Sequence, residues 1–313
     1  MSRAVGVAIL GFLGVFVASP SALQVRTADP AKRGVALSSF PRTIKLAENV
    51  YGYEEIRQPG FTTVSLIVVG ANGVLVADGQ GSPAATQTML DHIRTITAKP
   101  VKWYIVGSDH GDHTAGNSVL PKDITYVIHP NALAQMRRDA ANPKRQPTAP
   151  PVVVPPSAMT GDTQVIDVGG IEVRALFLGR AHTGGDLMVH LPAQRLLFMS
   201  EAYLNRVFPA MRSAYPSEWV RVIDKALAMD VERYVPGHGF IEEPGVSRDE
   251  LVEFQRALKS VIAEVTRLHR QGLAVEAAEK QADWGPYADW FLREQQAPIA
   301  VRKVYEELEG RLK

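Results

Sequence analysis

The hydrophobic and polar positions of this chain first follow a strand pattern that helical stretches interrupt. Short apolar runs bounded by glycine, proline or polar residues recur between residues 43 and 199 and are typical of buried strands. The predicted strands are 43–46, 64–69, 74–77, 101–106, 125–128, 164–168, 171–178, 187–191 and 196–199. Apolar residues at helical spacing predict helices over 84–98, 131–140 and 218–228, with a short one in 115–120. This alternation predicts a mixed α/β domain.

The C-terminal part of the chain has helical patterns alone. Ser247 and Glu250 have the spacing of a capping box, and the apolar positions after them mark one helix face as far as Gly272. The predicted helices are 247–272, 274–282, 286–295 and 298–312. Four aromatic residues are expected in the core, with a pocket wall or a dimer contact as the alternative: Trp284, Tyr287, Trp290 and Phe291.

The N-terminus has the pattern of a secretory signal peptide. Arg3 precedes an apolar run over 4–17 and small residues over 18–22, and the run is shorter than the ~20 residues of a membrane span. An uncleaved anchor or a buried helix is the alternative. We therefore expect a periplasmic or secreted protein without stable membrane insertion after cleavage. The predicted division is a signal peptide 1–22, a mobile leader 23–40, a domain 41–245 and a C-terminal helical extension 246–313.

Composition excludes some classes of function. Hydrophobic content of 46% and charged content of 21% are typical of a globular protein. A net charge of +1 without clustered basic and aromatic residues gives no reason to expect a nucleic-acid partner, so a small-molecule substrate is expected. The absence of cysteine excludes disulfides and a thiol nucleophile. Six prolines in 143–156 predict a surface loop. The sequence does not indicate an oligomeric state.

Candidate metal ligands follow four separate apolar runs. His110, Asp112 and His113 lie in one polar turn after the run 101–106. Three further candidates follow later runs of the chain: His182, Glu201 and His238. Neutral imidazoles and carboxylates are the ligands that zinc takes in catalytic sites, where one position stays open for water. The pattern therefore predicts a catalytic metal site built from strand-end loops.

The order of these motifs resembles the metallo-β-lactamase superfamily of hydrolases over roughly residues 49–240. That family has His-x-His-x-Asp-His, then His in His-Thr-x-Gly, then a bridging Asp, then His in Pro-Gly-His. Asp78, in Val-Ala-Asp-Gly, resembles the family's strand that ends in Asp-x-Gly. The resemblance implies an αββα sandwich, with two sheets between layers of helices.

Two positions depart from the family pattern. Ser108 stands in place of the first histidine, and Glu201 in place of the bridging aspartate. By resemblance, one metal would take the residues at 108, 110 and 182. The other metal would take Asp112, His113 and His238, with the residue at 201 shared. A serine hydroxyl is a poor zinc ligand at neutral pH, so we expect one tightly bound zinc in the second set and a weak or absent second metal. Ser108 and Asp78 are then expected to support the ligands.

The expected activity is hydrolysis of a lactam, ester, lactone or thioester by metal-activated water. Asp112 would hold the zinc and orient the nucleophile, and His182 would donate a hydrogen bond or proton to the oxyanion or leaving group. A β-lactam is one substrate that the resemblance implies. Two alternatives stay open, a mono-iron oxygenase of the same fold and a non-catalytic metal-binding protein of the cell envelope.

Overall fold

A pair of stacked β-sheets forms the centre of the protein. The structure, a computed structural model, describes residues 25–57 and 60–312. The first sheet has six strands, whose order in the sheet follows the chain: β1 (Arg42–Ala47), β2 (Val50–Arg57), β3 (Phe61–Gly70), β4 (Gly73–Ala77), β5 (Val101–Ile105) and β6 (Thr125–Val127). Neighbours from β1 to β4 pair antiparallel, and β4, β5 and β6 pair parallel.

The second sheet has five strands in the order β11-β10-β9-β8-β7. Their bounds are β7 (Thr163–Asp167), β8 (Glu172–Leu176), β9 (Met188–Leu191), β10 (Leu196–Phe198) and β11 (Arg233–Val235). β7 to β10 pair antiparallel, whereas β10 and β11 pair parallel. Each sheet therefore has one region of parallel strands whose carboxyl ends lie at a common edge.

Helices cover the outer face of each sheet. The helices are α1 (Pro30–Arg33), α2 (Pro83–Ile96), α3 (Gly111–Thr114), α4 (Pro130–Ala140), α5 (Pro216–Leu227), α6 (Pro244–Arg270), α7 (Val275–Gln281) and α8 (Arg293–Leu308). Apolar residues of α2 and α4 pack on the first sheet, and those of α5, α6 and α8 pack on the second. The predicted αββα sandwich with C-terminal helices is confirmed. No helix of the described ranges is both long enough and apolar enough to span a membrane.

The burial of β3 on both faces explains why its apolar run is continuous. All ten of its residues are buried. Leu66 and Val68 lie in the core between the two sheets, whereas Ile67 and Val69 lie in the core under α2 and α4. Because successive side chains of a strand point to opposite faces, a strand covered on both faces needs apolar residues at every position.

The N-terminal segment differs from the expected mobile leader, and the predicted signal peptide lies outside the described residues. Ala28 is fully buried, and Asp29 caps the short helix α1. Arg26 contacts Glu250 at 2.8 Å, and Arg33 forms two hydrogen bonds with Glu242. These ion pairs join Arg26 to α6 and Arg33 to the segment just before it, contacts that local composition does not reveal.

Three predictions of secondary structure are wrong. Strand β2 was not predicted, although it pairs with both β1 and β3. α6 begins at Pro244, so Ser247 is inside the helix, and its hydroxyl accepts a hydrogen bond from the Tyr234 amide. Residues 285–287 form a single 3₁₀ turn in place of a helix, and α8 begins at Arg293 with Pro298 inside it.

The C-terminal helices pack in the same apolar cluster as α5 and the outer face of the second sheet. Three of the four aromatic residues in question are buried there, as expected for core: Trp284, Tyr287 and Trp290. Phe291 instead packs on Phe61, with the ring centroids 5.5 Å apart. The ring of Phe61 lies 4.9 Å from that of His238, so this part of the chain reaches the predicted metal site.

Candidate metal centre

Each predicted ligand follows the carboxyl end of a strand. His110, Asp112 and His113 lie just after β5, where His110 precedes α3 and the other two belong to it. His182 follows β8 and Glu201 lies in a 3₁₀ turn after β10. His238 follows β11. The structure brings all six side chains together in two groups that share Glu201.

The four-ligand set consists of Asp112, His113, Glu201 and His238. Nε2 of His238 lies 3.0 Å from Oδ2 of Asp112, 3.2 Å from Oε1 of Glu201 and 3.3 Å from Nε2 of His113. Nε2 of His113 lies 3.8 Å from the Asp112 oxygen and 3.9 Å from the Glu201 oxygen. Four donor atoms therefore surround one point.

The three-ligand set consists of His110, His182 and Glu201. Nδ1 of His110 lies 3.1 Å from Nε2 of His182 and 2.8 Å from Oε2 of Glu201. Oε1 of Glu201 lies 3.2 Å from the same His182 nitrogen. Ser108 lies beside this set, and its hydroxyl donates to Oε2 of Glu201 at 2.5 Å.

The donor atoms fit zinc. Two nitrogens about 2.0–2.1 Å from one tetrahedral zinc lie about 3.3–3.4 Å apart. The nitrogen pairs of the two sets are separated by 3.3 Å for His113 and His238 and by 3.1 Å for His110 and His182. Imidazole nitrogens directed at one another and at carboxylates are a favourable donor set for a cation. Glu201 reaches both sets: Oε1 lies 3.2 Å from Nε2 of both His182 and His238, and Oε2 lies 2.8 Å from Nδ1 of His110.

Hydrogen bonds behind the ligands hold their orientation. His238 Nδ1 donates to the backbone oxygen of Thr62 at 2.7 Å, and His110 Nε2 contacts the Ser213 hydroxyl at 3.1 Å. Asp78 Oδ2 lies 3.1 Å from His113 Nδ1, while Oδ1 accepts from the amide of Gly107 at 2.7 Å. These partners favour protons on the outer nitrogens, so the inner nitrogens present lone pairs to a metal.

Glycine 237 is required for the shared ligand to approach His238. A Cβ atom at Gly237 would lie 2.4–2.6 Å from the backbone carbonyl group of Ser200. The Gly237 amide instead donates to that carbonyl oxygen at 2.7 Å. The Pro-Gly-His sequence thus lets the end of β11 lie directly against the turn that carries Glu201.

The ionisable groups of the centre shift one another's pKa values. Burial by itself would raise the pKa of Glu201, but the imidazoles of His182, His110 and His113 hold it well below its usual range. Burial would lower the pKa of His113, yet the charges of Asp78 and Glu201 raise it to about 9. The carboxylates thus stabilise positive charge on the imidazoles, and a bound metal cation would exchange for those protons.

A cavity of about 210 Å³ lies above the centre, and its walls include residues that the sequence motifs did not indicate. All predicted ligands except His113 line it. Arg57, at the end of β2, also lines it and contacts Oδ2 of Asp112 at 2.5 Å. One wall belongs to the C-terminal region: Leu292, Gln295, Gln296 and Ile299. Neither Arg57 nor this wall lies near a ligand motif in sequence.

The family model of the metallo-beta-lactamase superfamily matches residues 57–238, more than half of the chain. The matched region begins at Arg57 and ends at His238, and it contains every residue of both ligand sets. The protein belongs to the metallo-beta-lactamase superfamily. The family resemblance seen in the sequence motifs is thereby confirmed.

Curated relatives in this superfamily differ in what they act on. The chain is 21% identical over 56% of its length to 2,4-dinitroanisole O-demethylase subunit alpha of Nocardioides sp. (strain JS1661), and the match covers 52% of that protein. It is 25% identical to a type 2 metallo-beta-lactamase of Bacteroides fragilis, over 67% of this chain and 83% of the relative.

Solved structures show the same fold. The stereoselective inverting sec-alkylsulfatase Pisa1 from Pseudomonas sp. superimposes with a TM-score of 0.66 at 14% identity, over 85% of this chain and 50% of that one. A metallo-beta-lactamase from Pontibacter korlensis has a TM-score of 0.57 at 19% identity, over 69% of this chain and 98% of that one. The chain spans about half of the length of the demethylase subunit and of the alkylsulfatase.

Proposed function

We propose that this protein is an exported zinc-dependent hydrolase that cleaves a lactam, ester, lactone or thioester. The observation that carries the proposal is the convergence of four imidazoles and two carboxylates beneath a cavity of about 210 Å³. Zinc bound here would supply a nucleophile at neutral pH, because it lowers the pKa of water from ~15.7 to about 7.

The side chains of the centre would orient that nucleophile. Oδ2 of Asp112 is held between Arg57 at 2.5 Å and Nε2 of His238 at 3.0 Å, so it has little freedom to rotate. With Oδ2 directed at the four-ligand set, the other oxygen of the Asp112 carboxylate would accept a hydrogen bond from the attacking water and direct the water oxygen to the carbonyl carbon. Water adds across the bond: its oxygen joins the carbonyl carbon, the C–N, C–O or C–S bond breaks, and the leaving group takes the proton.

The role proposed for His182 is that of a metal ligand, in place of the proton donor expected from the sequence. Its Nε2 atom lies 3.2 Å from Glu201 and 3.1 Å from His110, both members of the three-ligand set. A cation bound among these three side chains would take the lone pair of that nitrogen, which would then hold no proton for the leaving group. His182→Ala should therefore lose metal as well as turnover, and retention of all bound zinc would favour the proton-donor role.

We infer that the four-ligand set binds zinc more tightly than the three-ligand set. The larger set has one more donor, and the Ser108 hydroxyl beside the smaller set is directed at Glu201. Metal analysis of the purified protein, followed by dialysis against a weak chelator, should release one zinc before the other. Two zincs released together would contradict this order.

Metal analysis also tests two alternative functions for this centre. A mono-iron oxygenase would use two histidines and an aspartate, whereas the presence of a second histidine pair on Glu201 favours the hydrolase. A non-catalytic metal-binding protein needs no cavity above its metal, and here such a cavity is lined by five predicted ligands. Iron content with oxygen uptake would support the oxygenase.

The decisive experiment is a substrate panel with zinc-loaded protein and with protein treated with chelator. The panel contains nitrocefin, 4-nitrophenyl esters, a thiolactone and a secondary alkyl sulfate, since the alkylsulfatase from Pseudomonas sp. shares this fold. Zinc-dependent turnover of a carbonyl compound is expected. Turnover of the sulfate alone, or of nothing in the panel, would contradict the proposal.

Export is the remaining part of the proposal. It rests on the sequence pattern of residues 1–22, which precede the described residues. Cell fractionation and the mass of the purified protein test it. A mature protein beginning near residue 22 in the periplasm or medium is expected, and a full-length cytoplasmic protein would contradict export.

A further inference from the structure

Leu292 lies between the cavity above the metal centre and a second cavity on the far side of the C-terminal wall. The second cavity has a volume of about 430 Å³, and its lining consists of residues 288–295 together with Thr27, Asp29 and Lys32. Leu292 and Gln295 line both cavities. Removal of the Leu292 side chain would therefore extend the space above the metal centre towards the second cavity.

The backbone of Leu292 has a conformation that leucine rarely adopts. Its φ of 63° and ψ of 9° lie in the left-handed region. Of the described residues that line the cavity above the metal centre, Leu292 alone has a positive φ. A Cβ atom is unfavourable in this region, whereas glycine adopts it freely. A large side chain at a position whose backbone suits glycine indicates a role for that side chain in the cavity.

Hydrogen bonds on both sides of Leu292 hold its backbone in place. The Phe291 amide donates to the Arg206 carbonyl oxygen at 3.3 Å, and the Phe208 amide donates to the Phe291 carbonyl oxygen at 2.9 Å. The carbonyl oxygen of Leu292 accepts from the Gln295 amide at 3.0 Å, in the first turn of α8. The Cβ atom of Leu292 therefore has a fixed position relative to the metal centre.

The cavity above the metal centre combines metal ligands with an apolar lining. Six of its lining residues are apolar: Phe61, Leu204, Val207, Ala210, Leu292 and Ile299. A substrate whose carbonyl group lies at the ligands would place the adjoining alkyl group against these side chains. Burial of each methylene group would then increase affinity by about fourfold.

We propose that Leu292 limits the length of the apolar acyl group that a substrate carries next to its scissile bond. This inference rests on the proposed function and specifies its substrate class as esters or thioesters of short-chain acids. The cavity of about 210 Å³ has the volume of about seven water molecules, so the carbonyl group and the attacking water leave room for about four methylenes. A longer chain meets the Leu292 side chain before it reaches the second cavity.

A series of esters with one leaving group tests the proposal. The substrates are the 4-nitrophenyl esters of acetic, butyric, hexanoic and octanoic acids. For the wild-type protein, kcat/KM should be highest for the butyrate or the hexanoate. In Leu292→Gly the ratio of kcat/KM for the octanoate over the butyrate should rise by about tenfold or more, because additional methylenes become buried. Leu292→Phe should lower the same ratio, because its larger side chain fills more of the cavity.

Leu308→Gly is the matched control. Leu308 is the last residue of α8, its exposed fraction is 40%, and it lines neither cavity. This variant should show the wild-type ratio. A ratio equal to that of Leu308→Gly in both Leu292 variants would overturn the inference. If Leu292→Gly does not fold, the ratio measured for Leu292→Phe decides.

A binding measurement separates this inference from the hydrolase proposal. The zinc-loaded proteins are titrated in a calorimeter with butyrate and, separately, with octanoate, the acids that two of the esters would release. A larger preference for octanoate in Leu292→Gly than in Leu308→Gly supports the inference, and equal preferences overturn it. Binding that depends on Leu292 without turnover of any ester would reject the hydrolase and support the length limit. Ester turnover with unchanged ratios in both Leu292 variants would reject the length limit alone.

Discussion

Replacement of Glu201 by glutamine tests the arrangement on which the metal centre depends. Oε1 lies 3.2 Å from Nε2 of both His182 and His238, and Oε2 lies 2.8 Å from Nδ1 of His110. No other residue belongs to both sets. Glu201→Gln removes the negative charge and turns one acceptor into a donor, so both sets should lose affinity together.

The size of the effect follows from these contacts. Loss of a residue that only supports a metal ligand typically lowers metal affinity about 10–100-fold. Glu201 contacts the ligands of both sets directly, so a loss of at least about 100-fold is expected for every zinc that the wild-type protein binds. This corresponds to about 2.7 kcal/mol of binding free energy per metal.

The assay is equilibrium dialysis against zinc buffered with a competing chelator. His182→Ala, which alters the three-ligand set alone, should lower the affinity of one site. Glu264→Gln is the matched control, because Glu264 lies on α6 and pairs with Arg267 outside the centre. If Glu201→Gln keeps either zinc at wild-type affinity, Glu201 is not shared and the two-set arrangement is wrong.

Three further predictions follow from other contacts. Ser108→His adds an imidazole to the three-ligand set, so the affinity of the weaker zinc should rise at least about tenfold, measured by the same dialysis; no gain would mean that residue 108 does not face this set. Zinc at about 100 times its Kd contributes about 2.7 kcal/mol to the free energy of unfolding. Removal of that zinc with a chelator should therefore lower Tm by about 4 °C, measured by differential scanning calorimetry. Glu250→Gln should lower the free energy of unfolding by about 2–3 kcal/mol in urea with an unchanged m-value, because the buried Glu250 pairs with Arg206 and Arg26; a change below about 0.5 kcal/mol would show that these pairs contribute little.

The candidate ligands could be predicted because each of them lies in a short sequence motif. Imidazoles and carboxylates that follow apolar runs are recognisable without knowing where the strands lie in a sheet. His110, Asp112 and His113 are close in sequence, so one turn brings them together in any fold that forms it. Asp78 was indicated by its resemblance to the family's strand that ends in Asp-x-Gly, and it contacts His113 in the structure.

The reach of Glu201 could not be predicted. Its chain length allowed contact with either set, and the approach of Gly237 to the Ser200 carbonyl decides that it faces both. Arg57 was missed for a similar reason. A partly exposed arginine at the end of a strand is common, and only the pairing of β2 with β3 places it beside Asp112.

The C-terminal region shows the limit of local patterns most clearly. The sequence predicted helices there and no function, and its capping signal at Ser247 was wrong, since that hydroxyl binds the amide of Tyr234 in β11. The packing of these helices on the second sheet turns Leu292 and Ile299 into a wall of the cavity above the metal centre. Whether an apolar helix face becomes core or a binding surface depends on what lies opposite it.

The sequence by itself determined the superfamily, the layered α/β architecture and the six side chains able to bind metal, because periodicity and motif order depend on neighbours along the chain. Only the tertiary structure decided that Glu201 is shared and that Arg57 restrains Asp112. These are contacts between residues far apart in sequence. Their distances are set by how sheets and helices pack, and no local pattern contains that information.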